Sequence, residues 1–137
     1  MRKVIDLENI SSNWKISGHI PNNNDGRARS KYHLKARSLL RQTFPTCQIL
    51  EEVPIKIRRA ETLYLDFFVP LHDLCVEVHG EQHYKFVQFY HKTRLGFAMA
   101  KKRDKKKVEW CGLNNISVIE LPFNEDENGW KKRIENR

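Results

Sequence analysis

Apolar and polar residues change rhythm several times along this chain, and each rhythm predicts an element. In SKYHLKARSLLRQTF (30–44), Tyr32, Ala36, Leu39, Leu40 and Phe44 recur at close to helical spacing, with basic residues elsewhere around the wheel. The preceding PNNNDGRARS reads as a loop, with Ser30 placed to cap the helix. Three strand-like runs follow at Cys47–Ile57, Thr62–Val69 and Leu74–His79, divided by short turns at 56–59 and 70–73. Connections this short predict an antiparallel meander. After an aromatic-rich loop, HYKFVQFYHKTRLGF, the segment from Ala98 to Gly112 predicts a helix rich in Lys and Arg. A last strand, Ile116–Leu121, lies beyond that crossover and is expected to run parallel to a neighbour. The fold class is therefore mixed α/β, a central mixed sheet of about four strands flanked by helices. Residues 30–123 form the core domain. Residues 1–29 are an arm and loop in which Val4, Ile5, Leu7, Ile10, Trp14 and Ile16 can pack, and 124–137 are a tail or short helix.

Two runs break their own rhythm. LYLDFFVP and LCVEVHGEQH place Asp66 and Glu77 inside apolar strands that a short turn brings together. A buried carboxylate needs an ionic partner, a hydrogen-bond network or a cation, and two of them side by side repel until a proton or a cation intervenes. Alternation puts Glu77 and His79 on one face, and antiparallel pairing brings Asp66 beside Glu77. Acids with open coordination positions suit Mg²⁺ or Mn²⁺, and an ion so held beside a basic surface can polarise a phosphodiester and lower the pKa of an attacking water.

Composition sharpens the choice of partner. Within 137 residues, 39% of them hydrophobic, Lys and Arg outnumber Asp and Glu by 25 to 17, for a net charge of +8. One domain with a polyanionic partner is the simplest expectation, and DNA leads over a membrane surface because no basic amphipathic anchor stands out. Lys35, Arg37, Arg41, Arg58, Arg59, Lys101, Lys102, Arg103, Lys105 and Lys106 are the candidate nucleic-acid contacts. They would hold the backbone without reading sequence. No apolar run approaches the roughly 20 residues of a membrane span, and MRKVIDLENI lacks a signal-peptide core, so an intracellular, cytoplasmic protein is expected. Cys47, Cys75 and Cys111, odd in number and widely spaced, read as free thiols.

The order helix, strand, Asp in a second strand and Glu in a third resembles the PD-(D/E)XK nuclease superfamily. LDFFVP with VEVHGEQHY is similar, more narrowly, to the very-short-patch-repair (Vsr) endonuclease-like proteins, many of them phage-encoded, whose signature approximates D-F-x-x-P followed by E-x-D-G-x-Q-H. The resemblance covers roughly Ser30 to Phe123. It implies a restriction-endonuclease-like fold and metal-dependent hydrolysis of DNA, whether double-stranded or branched. Asp66 and Glu77 would be the metal ligands, Gln82 and His83 would stand near the scissile phosphate, and Glu52 would be an additional site residue. His79 would position the water or assist proton transfer. It departs from the pattern, which has Lys in most of the superfamily and often Asp in this branch, and the first helix contains no acid.

Other readings compete. The acids can be structural, bonded to Arg58, Arg59 or Arg94. His79, His83, Cys75 and Cys111 can bind zinc, although no Cys-x-x-Cys pair exists. His33, His72 and His91 read as surface or satisfied histidines, and Phe86, Phe89 and Tyr90 can either stack on bases or pack internally. A nuclease fold whose site has decayed would bind nucleic acid or a host protein. An enzyme this small can nick as one copy or act as a homodimer to cut both strands.

Overall fold

A computed structural model describes residues 2–24, 26, 29–81, 86–87 and 91–136. Helix α1 (Lys31–Thr43) starts where Ser30 Oγ accepts from the His33 N–H at 3.1 Å, and it buries Ala36, Leu39 and Leu40 along one stripe. Strands β3 (Leu50–Arg58), β4 (Glu61–Val69) and β5 (Leu74–His79) form the expected antiparallel meander. A single 3₁₀ turn at Pro70–His72 joins β4 to β5, and Asp73 ends it in the left-handed region at φ 47°. Helix α2 (Arg94–Leu113) then carries the chain over the sheet so that β6 (Ser117–Pro122) lies parallel to β5, from Leu74↔Ser117 to His79↔Pro122. The order across the sheet is β3-β4-β5-β6. Helix α3 (Glu127–Glu135), capped by Asp126, follows. The mixed four-stranded sheet flanked by helices is the fold class expected from the pattern.

Each face of the sheet has its own core. Helices α1 and α3 cover Phe67, Val69, Leu74, Val76, Ile119 and Leu121 with Leu39, Leu40, Trp130 and Ile134. The opposite face packs Val53, Ile55, Ile57, Leu65, Phe68 and Cys75 against Trp110 and Cys111 of α2. The arm belongs to that second core. It is a hairpin of β1 (Arg2–Ile5) and β2 (Ser11–Trp14), and Trp14 meets Trp110 edge-on at 5.1 Å while its Nε1 donates to Pro54 O at 3.0 Å. Of the arm residues expected to pack, Val4 and Trp14 are buried and Leu7 and Ile16 lean on the core, whereas Ile10 faces solvent.

Two features depart from simple periodicity. Side-chain alternation slips between the pairs Glu51↔Phe67 and Val53↔Leu65, where Glu52 takes a left-handed backbone with φ 53°. Leu50, Val53, Ile55 and Ile57 therefore share the Trp110 face while Glu51 turns to the other. Helix α2 begins at Arg94, not at Ala98, because Thr93 Oγ1 caps it by accepting from Gly96 N at 3.0 Å. RLGF, expected in a loop, forms its first turn. Spanning about 30 Å, the 20-residue helix outruns the roughly 20 Å of the six-residue strand β5. Only Trp110 and Cys111 near its end are buried, and Leu95 and Met99 stand in solvent.

Candidate active site

The ladder between β4 and β5 runs through Val69↔Leu74, Phe68↔Cys75 and Phe67↔Val76. The next two connections are made by side chains. The Asp66 N–H donates to Glu77 Oε2 at 2.7 Å, and the Val78 N–H donates to Asp66 Oδ2 at 2.9 Å. Each acid thus satisfies a backbone amide of the opposite strand, and the two carboxylates are held together. Glu77 is buried, and its Oε1 accepts from Lys107 Nζ, 2.9 Å away on α2. Burial and the charge of Asp66 push the Glu77 carboxyl up to about 8, against the pull of Lys107. Burial lowers the Lys107 ammonium, but the two acids outweigh it and the net shift is upward. Cys75 Sγ lies 3.9 Å from Glu77 Oε2, and contact with Cys111, burial and Glu77 push that thiol up.

The structure answers the question of the acids' partner with a residue that sequence reasoning missed. The ammonium paired with Glu77 belongs to Lys107, not to Arg58, Arg59 or Arg94. Arg58 instead lies 3.9 Å from Glu61 and Arg94 sits over the Phe86 ring at 4.3 Å. Lys107 closes the run KKRDKKK. Helical spacing from Trp110 and Cys111 would have turned it toward the sheet.

The remaining expected site residues divide. His79 follows Glu77 on the strand, is buried, and has its Nδ1 3.6 Å from Glu120 Oε2 on the neighbouring strand. It lines a 460 Å³ groove with Lys101, Asp104, Lys105 and Val108 of α2. Glu52 is held on β3, where its carboxylate is engaged by Arg29 and, at 3.5 Å, by His19. Gln82, His83, Phe89 and Tyr90 lie outside the described residues.

Arg37 corrects the expectation of a nucleic-acid contact. It is 2% exposed, and its Nε and Nη2 grip the two oxygens of the fully buried Glu51 at 2.7 and 2.8 Å. Its Nη1 donates to Asn23 at 2.8 Å. Burial raises the Glu51 carboxyl, but hydrogen bonds from His33 and Arg37 outweigh it and hold the group down at about 2. His33 stacks on Phe67, and its Nε2 lies 3.1 Å from Glu51 Oε1. Among the other basic candidates, Lys106 is taken by Glu61 at 2.9 and 3.1 Å, Lys35 lies over the Trp130 ring at 4.4 Å, and exposed Arg41 donates to Pro21 O. Arg59, Lys102, Arg103 and Lys105 are exposed.

Among the described residues, no three His, Cys, Asp or Glu side chains gather as a metal would require of a closed protein cage. Of the alternative zinc set, Cys75 and Cys111 are free, buried thiols of the core, and His83 lies outside the described residues. Mg²⁺ and Mn²⁺ make a different demand. They are commonly held by one or two carboxylates, with water and phosphate oxygens completing the shell, and the interlocked Asp66 and Glu77 fit that demand.

No known protein family matches the chain, and no solved structure does. Over 61 residues the chain is 39% identical to a protein of Invertebrate iridescent virus 6 described as uncharacterized protein 307L. A second match, 36% identical over 61 residues, is to uncharacterized protein 033L of Invertebrate iridescent virus 3. Each match covers 44% of this chain and 31% of the relative, so the chain spans about a third of the length of the curated relatives it matches. Among the described residues no helix is long and apolar enough to cross a membrane.

Proposed function

We propose that this chain is a metal-dependent DNA endonuclease or nickase of the PD-(D/E)XK type, similar to the Vsr-like branch. The observation that carries this reading is the interlock of Asp66 and Glu77, two carboxylates forced together where the strands stop pairing through their backbones. Core packing alone gives no reason for such repulsion, whereas phosphodiester hydrolysis does. Asp66 and Glu77 would hold Mg²⁺ or Mn²⁺, which when bound polarises a phosphoryl oxygen and acidifies water. Arg103 and Lys105, exposed on α2, and Lys101, half-buried beside them, face the backbone phosphates of DNA. His79, oriented by Glu120, is placed to hold a water in the adjoining groove.

One observation favours a second reading, a nuclease fold that binds nucleic acid or a host protein without cutting. His79 occupies the position of the expected lysine and is itself buried. The two readings separate on supercoiled plasmid and on branched or mismatched duplexes, incubated with Mg²⁺, Mn²⁺ or EDTA. The nuclease reading expects metal-dependent nicking that is lost in Asp66→Asn and Glu77→Gln while DNA binding persists. A folded, DNA-binding protein that never cuts establishes the second reading.

A further inference from the structure

Both oxygens of Glu77 are in use. Oε2 accepts from the Asp66 N–H and Oε1 accepts from Lys107 Nζ at 2.9 Å. The Asp66 contact is a connection of the sheet and is fixed by two strands. The Lys107 contact is made by a flexible side chain that is still 17% exposed. A cation arriving at Glu77 meets the ammonium first, and two cations on one carboxylate oxygen repel.

We propose that Lys107 is the resident cation of this site: it occupies Glu77 in the metal-free protein, gives way to the divalent cation, and then turns its ammonium to the anionic phosphodiester. This rests on the nuclease reading. Three features of the structure support the exchange. Lys107 projects from the one helix that also carries Arg103, one turn earlier on the same face and exposed, so a displaced ammonium swings toward another cation site suited to phosphate. The helix is anchored by Trp110 and Cys111 just beyond Lys107, which fixes the base of the side chain while its tip moves. Lys107 also supplies, from a helix, the positive charge that the strand lacks with His79 two residues past Glu77. Its movement ties charge on the substrate to occupancy of the acids, so the site is armed only when loaded.

The test measures Mn²⁺ binding to the full chain by calorimetry without DNA, and nicking at saturating Mn²⁺, in wild type, Lys107→Met, Lys107→Arg, Asp66→Asn and the surface control Lys132→Met. Lys107→Met keeps the aliphatic stem and removes the competitor. It is expected to bind Mn²⁺ about tenfold more tightly, an ordinary size for linked sites. Its nicking is expected to fall roughly 100-fold, the scale of losing one charge-stabilising group. Lys107→Arg keeps the pairing and is expected to bind Mn²⁺ at wild-type strength, which keeps the question answerable if the Met variant unfolds. A merely structural ion pair would not move affinity and turnover in opposite directions. Unchanged or weaker Mn²⁺ binding in Lys107→Met, tighter binding in Lys107→Arg, or undiminished nicking in Lys107→Met overturns the proposal. If Mn²⁺ binding in wild type depends on Asp66, such a result removes only the role of Lys107. If neither wild type nor Lys107→Met binds Mn²⁺, the metal site itself fails and the nuclease reading falls with it.

Discussion

Arg37 closes on Glu51 with two parallel N–H···O bonds, 2.7 and 2.8 Å long, in a part of the core that excludes water from both side chains. The same guanidinium reaches Asn23 and so ties the loop before α1 to β3. Removing Arg37 strips buried Glu51 of its two-bond guanidinium partner and leaves it to His33 at 3.1 Å and Arg29 at 3.6 Å. Arg37→Ala is expected to cost about 3–5 kcal/mol of unfolding free energy in urea titrations. An unchanged midpoint would show that this ion pair is open to solvent.

Glu51 also sets the acid limb of stability. Its carboxyl is held at about 2 in the folded chain against an ordinary value of 4.5, so the folded state binds fewer protons than the unfolded one between those values. The contribution is complete above pH 4.5 and is lost as pH falls toward 2, on the order of 3 kcal/mol in all. Thermal melts at stepped pH should show the slope in wild type and a flatter acid limb in Glu51→Gln, whose overall stability is lower. A Glu51→Gln profile parallel to wild type through this window would count against the assignment.

Asp66 is expected to trade stability for function. Asparagine at this position still offers an oxygen to the Val78 N–H and removes the charge that opposes Glu77. Asp66→Asn should therefore raise the stability of the metal-free protein by about 1 kcal/mol at neutral pH while abolishing cleavage. Asp66→Ala, which deletes the acceptor, should lower it by about 1–3 kcal/mol. Calorimetric melts of the three proteins decide the order.

The basic residues of α2 should differ in their effect on DNA binding. Exposed Lys102 and Lys105 are free of a described acid partner, and each Gln substitution should lower the salt dependence of binding by about one unit of slope. Lys106 already neutralises Glu61, so Lys106→Gln should change the slope less. Fluorescence anisotropy of a labelled duplex across a salt series measures all three. Equal slopes throughout would place the DNA on another face.

The arm should prove part of the domain. Trp14→Ala removes an edge-on contact with Trp110, a tilted one with Phe68 at 5.2 Å, and a hydrogen bond to Pro54. A loss of about 3–5 kcal/mol is expected in chemical denaturation. A loss below 1 kcal/mol would mean that the hairpin folds separately from the sheet.

Much of this architecture is legible because local chemistry and burial agree. Ser30 and Gly112 sit near the ends of the helices they were expected to bound, the turn at Pro70 is short enough to force a hairpin, and the crossover dictates the parallel strand. The acid pair is legible for the opposite reason, since Asp66 and Glu77 conflict with their surroundings. Three features resist a reading in one dimension. Arg37 looks like a surface cation on an amphipathic helix because its partner, Glu51, becomes buried only through the left-handed turn of Glu52. The start of α2 depends on a Thr93 cap hidden among aromatic residues. Lys107 is one of six Lys or Arg within seven residues, and only the docking of Trp110 against the arm selects it over its neighbours.

Because Asp66 and Glu77 supply the hydrogen bonds that strands β4 and β5 no longer make through their backbones, the acids are also carpentry. A chain of this fold that does not cut DNA would still need them, or their amides, to keep its sheet closed. Finding both acids in a related protein would then speak for shared construction, and only the fate of the lysine opposite them would speak for shared chemistry.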